Sequence, residues 1–187
     1  MAGVAGPMLH RTRTRGARFL AGLTLGGAVG GLVLSVPVYL VGVLTGVLPP
    51  GVRAGLLVAA CAAFGIADLR GRTPHVWRQV PQAFVRSLPP GRLGLVWGFD
   101  LGLLVTTQKT TSLIWVAGTA VVLLRPELAA VTLAAIAAVA AAAITLNALT
   151  GLLPQGREAL TWSGPARWVS GGLILAMPAL LAIAPPA

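Results

Sequence analysis

Most of the residues that do chemistry in proteins are scarce in this chain. Its 187 residues include four acidic side chains, two histidines and one cysteine, and Lys109 is the sole lysine. A lone cysteine, Cys61, excludes an internal disulfide and any Cys-rich metal site. His10 and His75 lie in basic segments with no His or Cys partner at ligand spacing, so metal binding is not expected. There is no nucleophile–base–acid arrangement and no pair of neighbouring carboxylates. The glycine-rich stretch LTLGGAVGG has no phosphate-loop lysine behind it, and close helix packing is its expected role. The expectation is a protein that is not an enzyme and holds no cofactor.

Charge is short as well. Soluble domains carry about 25% charged residues, whereas this chain carries 10%, with 56% hydrophobic residues and a mean hydropathy of +0.87. So few charges cannot cover a water-facing surface, and the apolar runs are long enough to cross a bilayer. The expected fold class is all-α: a polytopic transmembrane helix bundle forming a single integral membrane domain over residues 1–187.

The placement of the arginines decides between two readings of the net charge of +10. Arg11, Arg13, Arg15 and Arg18 precede the first apolar run. Arg70, Arg72, Arg78, Arg86 and Arg92 fill the stretch DLRGRTPHVWRQVPQAFVRSLPPGR, and Arg157 and Arg167 lie in PQGREALTWSGPAR. Only Arg53 and Arg125 fall in the other two connections. Short Lys/Arg-rich loops stay in the cytoplasm, so the pattern reads as topology signals and headgroup contacts, with no nucleic-acid partner. It fits five crossings at about 17–48, 52–69, 93–124, 127–150 and 168–185. The basic tail 1–16 and the basic loop 70–92 are then cytoplasmic and the C-terminus lies outside, in a cell inner (cytoplasmic) membrane. The first apolar run is too long, and lacks the cleavage site, for a secretory signal peptide. Trp77, Trp97, Trp162 and Trp168 fall near the expected cytoplasmic interface, as aromatic belts do.

Two of these runs exceed a simple crossing. About 20 helical residues span the hydrocarbon core, and each of the segments near 17–48 and 93–124 would extend about 48 Å. Breaks are expected at GGAVGG and Ser35-Val36-Pro37 in the first run, and at TTQKTTS in the third. A re-entrant hairpin in either run would reverse the later loops, so broken helices that still cross are favoured. The runs also look repeated: aligning Pro50 with Pro126 lays GGLVLSVP over TTQKTTS. Repeats with broken helices and a midplane site build many transporters.

The third run holds the most informative residues, FDLGLLVTTQKTTSLIW from Phe99 to Trp115. A charge near the bilayer centre costs about 2.5–3.5 kcal/mol on insertion scales and is usually paired or wetted. Lys109 lies midway along the run, beyond easy snorkelling. The hydroxyls of Thr106, Thr107, Thr110, Thr111 and Ser112 can satisfy backbone groups freed by a break. Lys109, Gln108, Thr107, Thr110 and Asp100 form the candidate substrate-binding set. Three readings of Lys109 stay open: a substrate or proton site, a structural cation on freed carbonyls, or a residue at a misplaced helix boundary. Asp100 could equally be a solvated residue beside an interfacial Trp97, and Asn147 reads as a cap or packing residue.

The run RQVPQAFVRSLPPGRLGLVWGFDLGLLVTTQKTTSLIWVA resembles a pattern in small actinobacterial membrane proteins. These in turn are distantly similar to the CcdA/DsbD-type electron-transfer membrane proteins of cytochrome c biogenesis. That resemblance implies two repeated bundles, each opening with a proline-broken helix that bears a cysteine. Here neither GLVLSVPVYLVG nor GLLVTTQKTTSLIW contains one, and a thiol–disulfide relay needs two redox thiols. No residue role carries over. Two function classes remain. One is a transporter-like protein binding an anion, proton or small solute around Lys109. The other is a non-catalytic accessory subunit that assembles with a maturation factor or enzyme through its 70–92 loop. A relay through intermolecular Cys61 pairs is a distant third. Expected partners are the lipid bilayer and either further copies of the chain or another membrane protein.

Overall fold

The computed structural model describes residues 12–74, 84–104, 111–150 and 157–183, without the side chains of Arg86, 157–163 and 179–183. Its elements, in order, are α1 (Arg13–Thr45), α2 (Pro50–Leu69), the short α3 (Phe84–Ser87), α4 (Pro90–Gly102), α5 (Leu113–Leu124), a 3-10 turn (Pro126–Leu128), α6 (Ala129–Thr150) and α7 (Arg157–Ile183). No strand occurs among the described residues. Three helical stretches are long and apolar enough to cross a membrane: Arg13–Thr45, Pro50–Leu69 and Pro126–Thr150. They leave Leu25, Val29, Leu32, Leu40, Leu44, Val58, Val131 and Val139 each 49–71% exposed, a surface suited to lipid.

The helix starts follow from local sequence. Leu-Pro-Pro-Gly occurs twice, at 48–51 and 88–91. In each copy the first proline is extended (Pro49 ψ 144°, Pro89 ψ 151°) and the second occupies the first helical turn. A proline restricts its predecessor to extended backbone, and its own missing N–H costs nothing at a helix start. Pro126 opens the 3-10 turn ahead of α6 in the same way.

Contacts divide the chain into two compact units, each built from three separate stretches. The first takes Met1–Pro37, Val76–Gln108 and Ala130–Gly156. Here α1 and α4 run parallel with their backbones nearly touching. A Cβ on Gly94, Gly98 or Gly102 would fall 2.0–2.1 Å from the carbonyl oxygens of Phe19, Leu23 and Gly27 respectively. In return, Cβ atoms on Gly22, Gly26 and Gly30 would strike the Gly91, Leu95 and Phe99 oxygens. Small residues four apart on both helices permit this approach, which is a common way to hold helices together in lipid. Gly27 and Gly31 instead face Ala137 and Leu133 of α6, which runs antiparallel to α1. Each glycine doublet of GGAVGG therefore serves two neighbours at once. At the other end of this packing, Phe19, Leu20, Leu23, Leu93, Trp97 and Ala148 form a buried cluster.

Two expectations are corrected in this unit. The first run is not interrupted: α1 is one helix of 33 residues that passes through GGAVGG and carries Pro37 inside it. The glycines are packing contacts, so they do not break the helix. Pro37 deletes one backbone donor, which a membrane helix tolerates. Trp97 does not present its ring at the surface as an aromatic-belt residue would. It is 6% exposed, with its ring edge-on to Phe19 at 5.9 Å.

The second unit takes Val38–His75, Lys109–Ala129 and Arg157–Ala187. Here α2 runs antiparallel to both α5 and α7 around Leu57, Cys61, Val116, Leu123 and Ile174. At one end Thr45 Oγ1 donates to the Val122 carbonyl at 3.2 Å, and Arg53 Nη1 to the Leu123 carbonyl at 3.3 Å. A guanidinium beside the last carbonyls of α5 meets the negative end of that helix. Gly42 packs on Pro126, and Gly65 on Gly171 and Leu175.

Candidate functional site

The other end of the second unit holds the most polar construction described. Asp68, in the last turn of α2, is 1% exposed. Its Oδ1 accepts from Ser112 Oγ at 2.6 Å and Thr73 Oγ1 at 2.9 Å; its Oδ2 accepts from Ser170 Oγ at 2.7 Å and the Ser112 N–H at 2.8 Å. Four donors from three segments thus converge on one carboxylate. Contacts of 2.5–2.7 Å between a hydroxyl and a carboxylate belong to the short, charge-assisted kind.

Each donor is delivered by local backbone. Past α2, Gly71 adopts φ +68°, the Gly71 N–H bonds the Asp68 carbonyl at 2.9 Å, and the Arg72 N–H bonds the Ala67 carbonyl at 2.8 Å. This is a Schellman closure, which favours glycine at its left-handed position. It folds the chain back so that Thr73 reaches the carboxylate two residues later. Trp115 Nε1 then donates to the Pro74 carbonyl at 2.9 Å, fastening the same turn to α5. Ser112 occupies the N-cap position of α5 without a side-chain cap bond, so Asp68 lies at that helix's N-terminus, where a negative group is favoured. Ser170 comes from the middle of α7 and is fully buried.

The third apolar run is carried by two helices, α4 ending at Gly102 and α5 beginning at Leu113. Both flanks of the intervening segment are buried: Leu104 is 6% exposed and Ser112 0%. Leu104 has φ +56°, the one non-glycine residue at positive φ among the described residues. It stands where Gly71 stands after α2, one past the helix cap, with its N–H on the Leu101 carbonyl at 3.2 Å. A leucine there costs roughly 1–2 kcal/mol, and its burial holds it in place.

Of the residues expected to bind substrate, Thr107, Gln108, Lys109 and Thr110 lie outside the described residues. Asp100 is described, on α4 in the first unit, and it is 7% exposed. It is therefore a buried carboxylate, and the alternative of a solvated Asp100 is corrected. Asn147 is buried on α6, in keeping with a packing residue. Asp68, Thr73 and Ser170 were not singled out in the sequence. The available signal was slight: Asp68 is one of four acidic residues, and it ends an apolar run just before Arg-Gly-Arg-Thr-Pro.

No protein-family model matches the chain, and no curated protein or solved structure is similar enough to be matched with it. The geometry of the chain itself carries the functional argument.

Proposed function

We propose that this is a transporter-like, multi-pass protein of the cytoplasmic membrane, with a polar intramembrane site around Lys109 for an anion, a proton or a small solute. The observation that carries the reading is the pair of buried flanks at Leu104 and Ser112. The lysine-bearing segment is entered from one buried residue and left through another, and a strained residue marks its start. Strained backbone concentrates at functional sites, and intramembrane ionisable residues are functional by default. The buried Asp100 adds a second polar group to the helix that leads in.

In this reading the chain crosses five times, N-terminus inside and C-terminus outside, and the third crossing is a broken helix. Within the second unit α5 runs antiparallel to α2, the direction that the second half of a third crossing takes beside a second crossing.

The test is flux through purified protein in liposomes that hold a pH-sensitive dye, driven by an imposed potential, with chloride or phosphate gradients as anion probes. Wild type should pass protons or one of these anions. Lys109→Met, which keeps the chain length and removes the charge, should abolish that flux at equal insertion. Conductance no greater than that of empty liposomes for all three probes, together with co-purification of a second membrane protein, would replace this reading with the accessory-subunit one.

A further inference from the structure

We infer that the first unit carries a binding surface for an anionic phosphodiester lipid, built by Arg15 and Arg18 at the start of α1 and Arg92 at the start of α4. The parallel, glycine-mediated packing of α1 on α4 brings their N-termini together: a Cβ on Gly91 would lie 3.7 Å from the Arg18 carbonyl oxygen and 4.0 Å from the Arg18 Cβ. Two basic segments more than seventy residues apart in sequence therefore converge at one end of one unit. Arg15, Arg18 and Arg92 are exposed, and none forms an ion pair with a described residue; the described ion pair is Arg125–Glu127, in the second unit. The first unit's stretches contain one acidic residue, Asp100, which lies ten residues further along α4 from Pro90 and is buried. Among the first unit's described residues, no acidic side chain at this end competes for the arginines.

The partner's chemistry follows from what lies beneath them. Arg18, Leu25, Val29 and Leu32 recur at seven, eleven and fourteen residues from Arg18, one stripe of α1. Leu25 is 62% exposed, and Val29 and Leu32 are each 50% exposed. On α4 Arg92 is followed one turn later by Leu95, which is 49% exposed. Cationic heads thus stand above an apolar stripe of α1 and the exposed Leu95 of α4, matching a phosphate headgroup with acyl chains below it. Gly91 and Arg92 follow Pro90 in the first turn of α4, where backbone N–H groups have no partner within the helix. They add donors suited to a phosphate oxygen. A free phosphate would use only the upper half of this surface, so the inference commits to lipid. It rests on the chain lying in a membrane and is independent of transport.

Native mass spectrometry of detergent-solubilised protein, titrated with phosphatidylglycerol, phosphatidylcholine or glycerol phosphate, tests it. Wild type should retain phosphatidylglycerol, and phosphatidylcholine and glycerol phosphate should bind at least tenfold more weakly. An arginine near an anionic lipid surface contributes a factor of roughly five, so R15Q/R18Q/R92Q should lose on the order of a hundredfold. The charge-preserving R15K/R18K/R92K should keep most of the affinity, and R125Q should behave as wild type. Because topology could respond to lost arginines, the lipid dependence of thermal unfolding is also measured on wild type, where added phosphatidylglycerol should raise the midpoint and high salt should cancel the rise. Equal retention of both lipids by wild type, or an unchanged phosphatidylglycerol affinity in the glutamine triple variant, overturns the inference.

Discussion

Removing the Asp68 carboxylate should be among the most damaging single changes available in the second unit, and the size of the loss can be worked from its partners. In Asp68→Ala the hydroxyls of Thr73, Ser112 and Ser170 can turn toward backbone carbonyls, so none need be stranded. The Ser112 N–H cannot turn, and leaving a buried donor unpaired costs about 1–3 kcal/mol. The other three contacts are charge-assisted, and hydrogen bonds to charged groups contribute about 1.5–3 kcal/mol each before such re-pairing. A total of roughly 3–5 kcal/mol is expected, in line with breaking other buried charged networks. Asp68→Asn should cost less, about 1–2 kcal/mol. Its carbonyl can take the Ser112 N–H and Ser170 hydroxyl bonds, and its amide can donate to the Thr73 and Ser112 hydroxyl oxygens. For a chain of this length 1 kcal/mol shifts the unfolding midpoint by about 2–4 °C, so Asp68→Ala should unfold about 10 °C below wild type in detergent, followed by tryptophan fluorescence. A double-mutant cycle with Ser170→Ala should return a coupling above about 0.5 kcal/mol, the limit of additivity for independent sites. If Asp68→Ala unfolds within 1 °C of wild type, or Asn is as harmful as Ala, the convergent hydrogen bonds do not hold this unit together.

Three further outcomes are expected. Gly98→Ala places a Cβ 2.1 Å from the Leu23 carbonyl oxygen and should lower the unfolding midpoint sharply, whereas Gly118→Ala, whose Cβ meets nothing within 4 Å, should leave it unchanged in the same assay. Cys61, fully buried among Leu57, Val116 and Ile174, should resist maleimide in the folded protein, and Cys61→Ala should leave flux intact; a loss that tracks thiol chemistry would revive a redox role. A cysteine placed at Gln82 in the Cys61→Ala background should react with an impermeant reagent only after the membrane is opened, and reaction from outside would refute the N-in topology.

Much of the fold could be read from the chain, because periodicity and composition act locally. The scarcity of charge announced membrane helices, and the glycines of LTLGGAVGG pack closely as expected. The error at the same glycines is instructive. A glycine doublet looks like a break when α1 is read alone, and becomes two helix interfaces once α4 and α6 are present. Trp97 misled for a similar reason: its distance from the expected interface suited an aromatic belt, but its burial depends on Phe19, 78 residues away in sequence. The Asp68 network was hidden because its donors come from positions 73, 112 and 170. No spacing rule links residues that only tertiary packing brings together, and Ser112 was visible merely as one of several hydroxyls in a polar run.

The two helix ends that close with a left-handed residue show what distinguishes a structural turn from a candidate site in this protein. After α2 the position is Gly71, the conformation costs little, and the chain it redirects completes the Asp68 network. After α4 the equivalent position is Leu104, the conformation is strained, and the chain it redirects is the lysine-bearing segment. A glycine at 104 would relieve the strain and forfeit the burial of a large apolar side chain, which is worth about 1.5–3 kcal/mol. The leucine therefore fixes the exit of α4 more firmly than glycine could, since its side chain is held as well as its backbone. At the far side Ser112 is held just as firmly, by two of the four bonds to Asp68. The two described ends of the polar run are thus each fixed by their own surroundings, Leu104 by its burial and Ser112 by its bonds to Asp68.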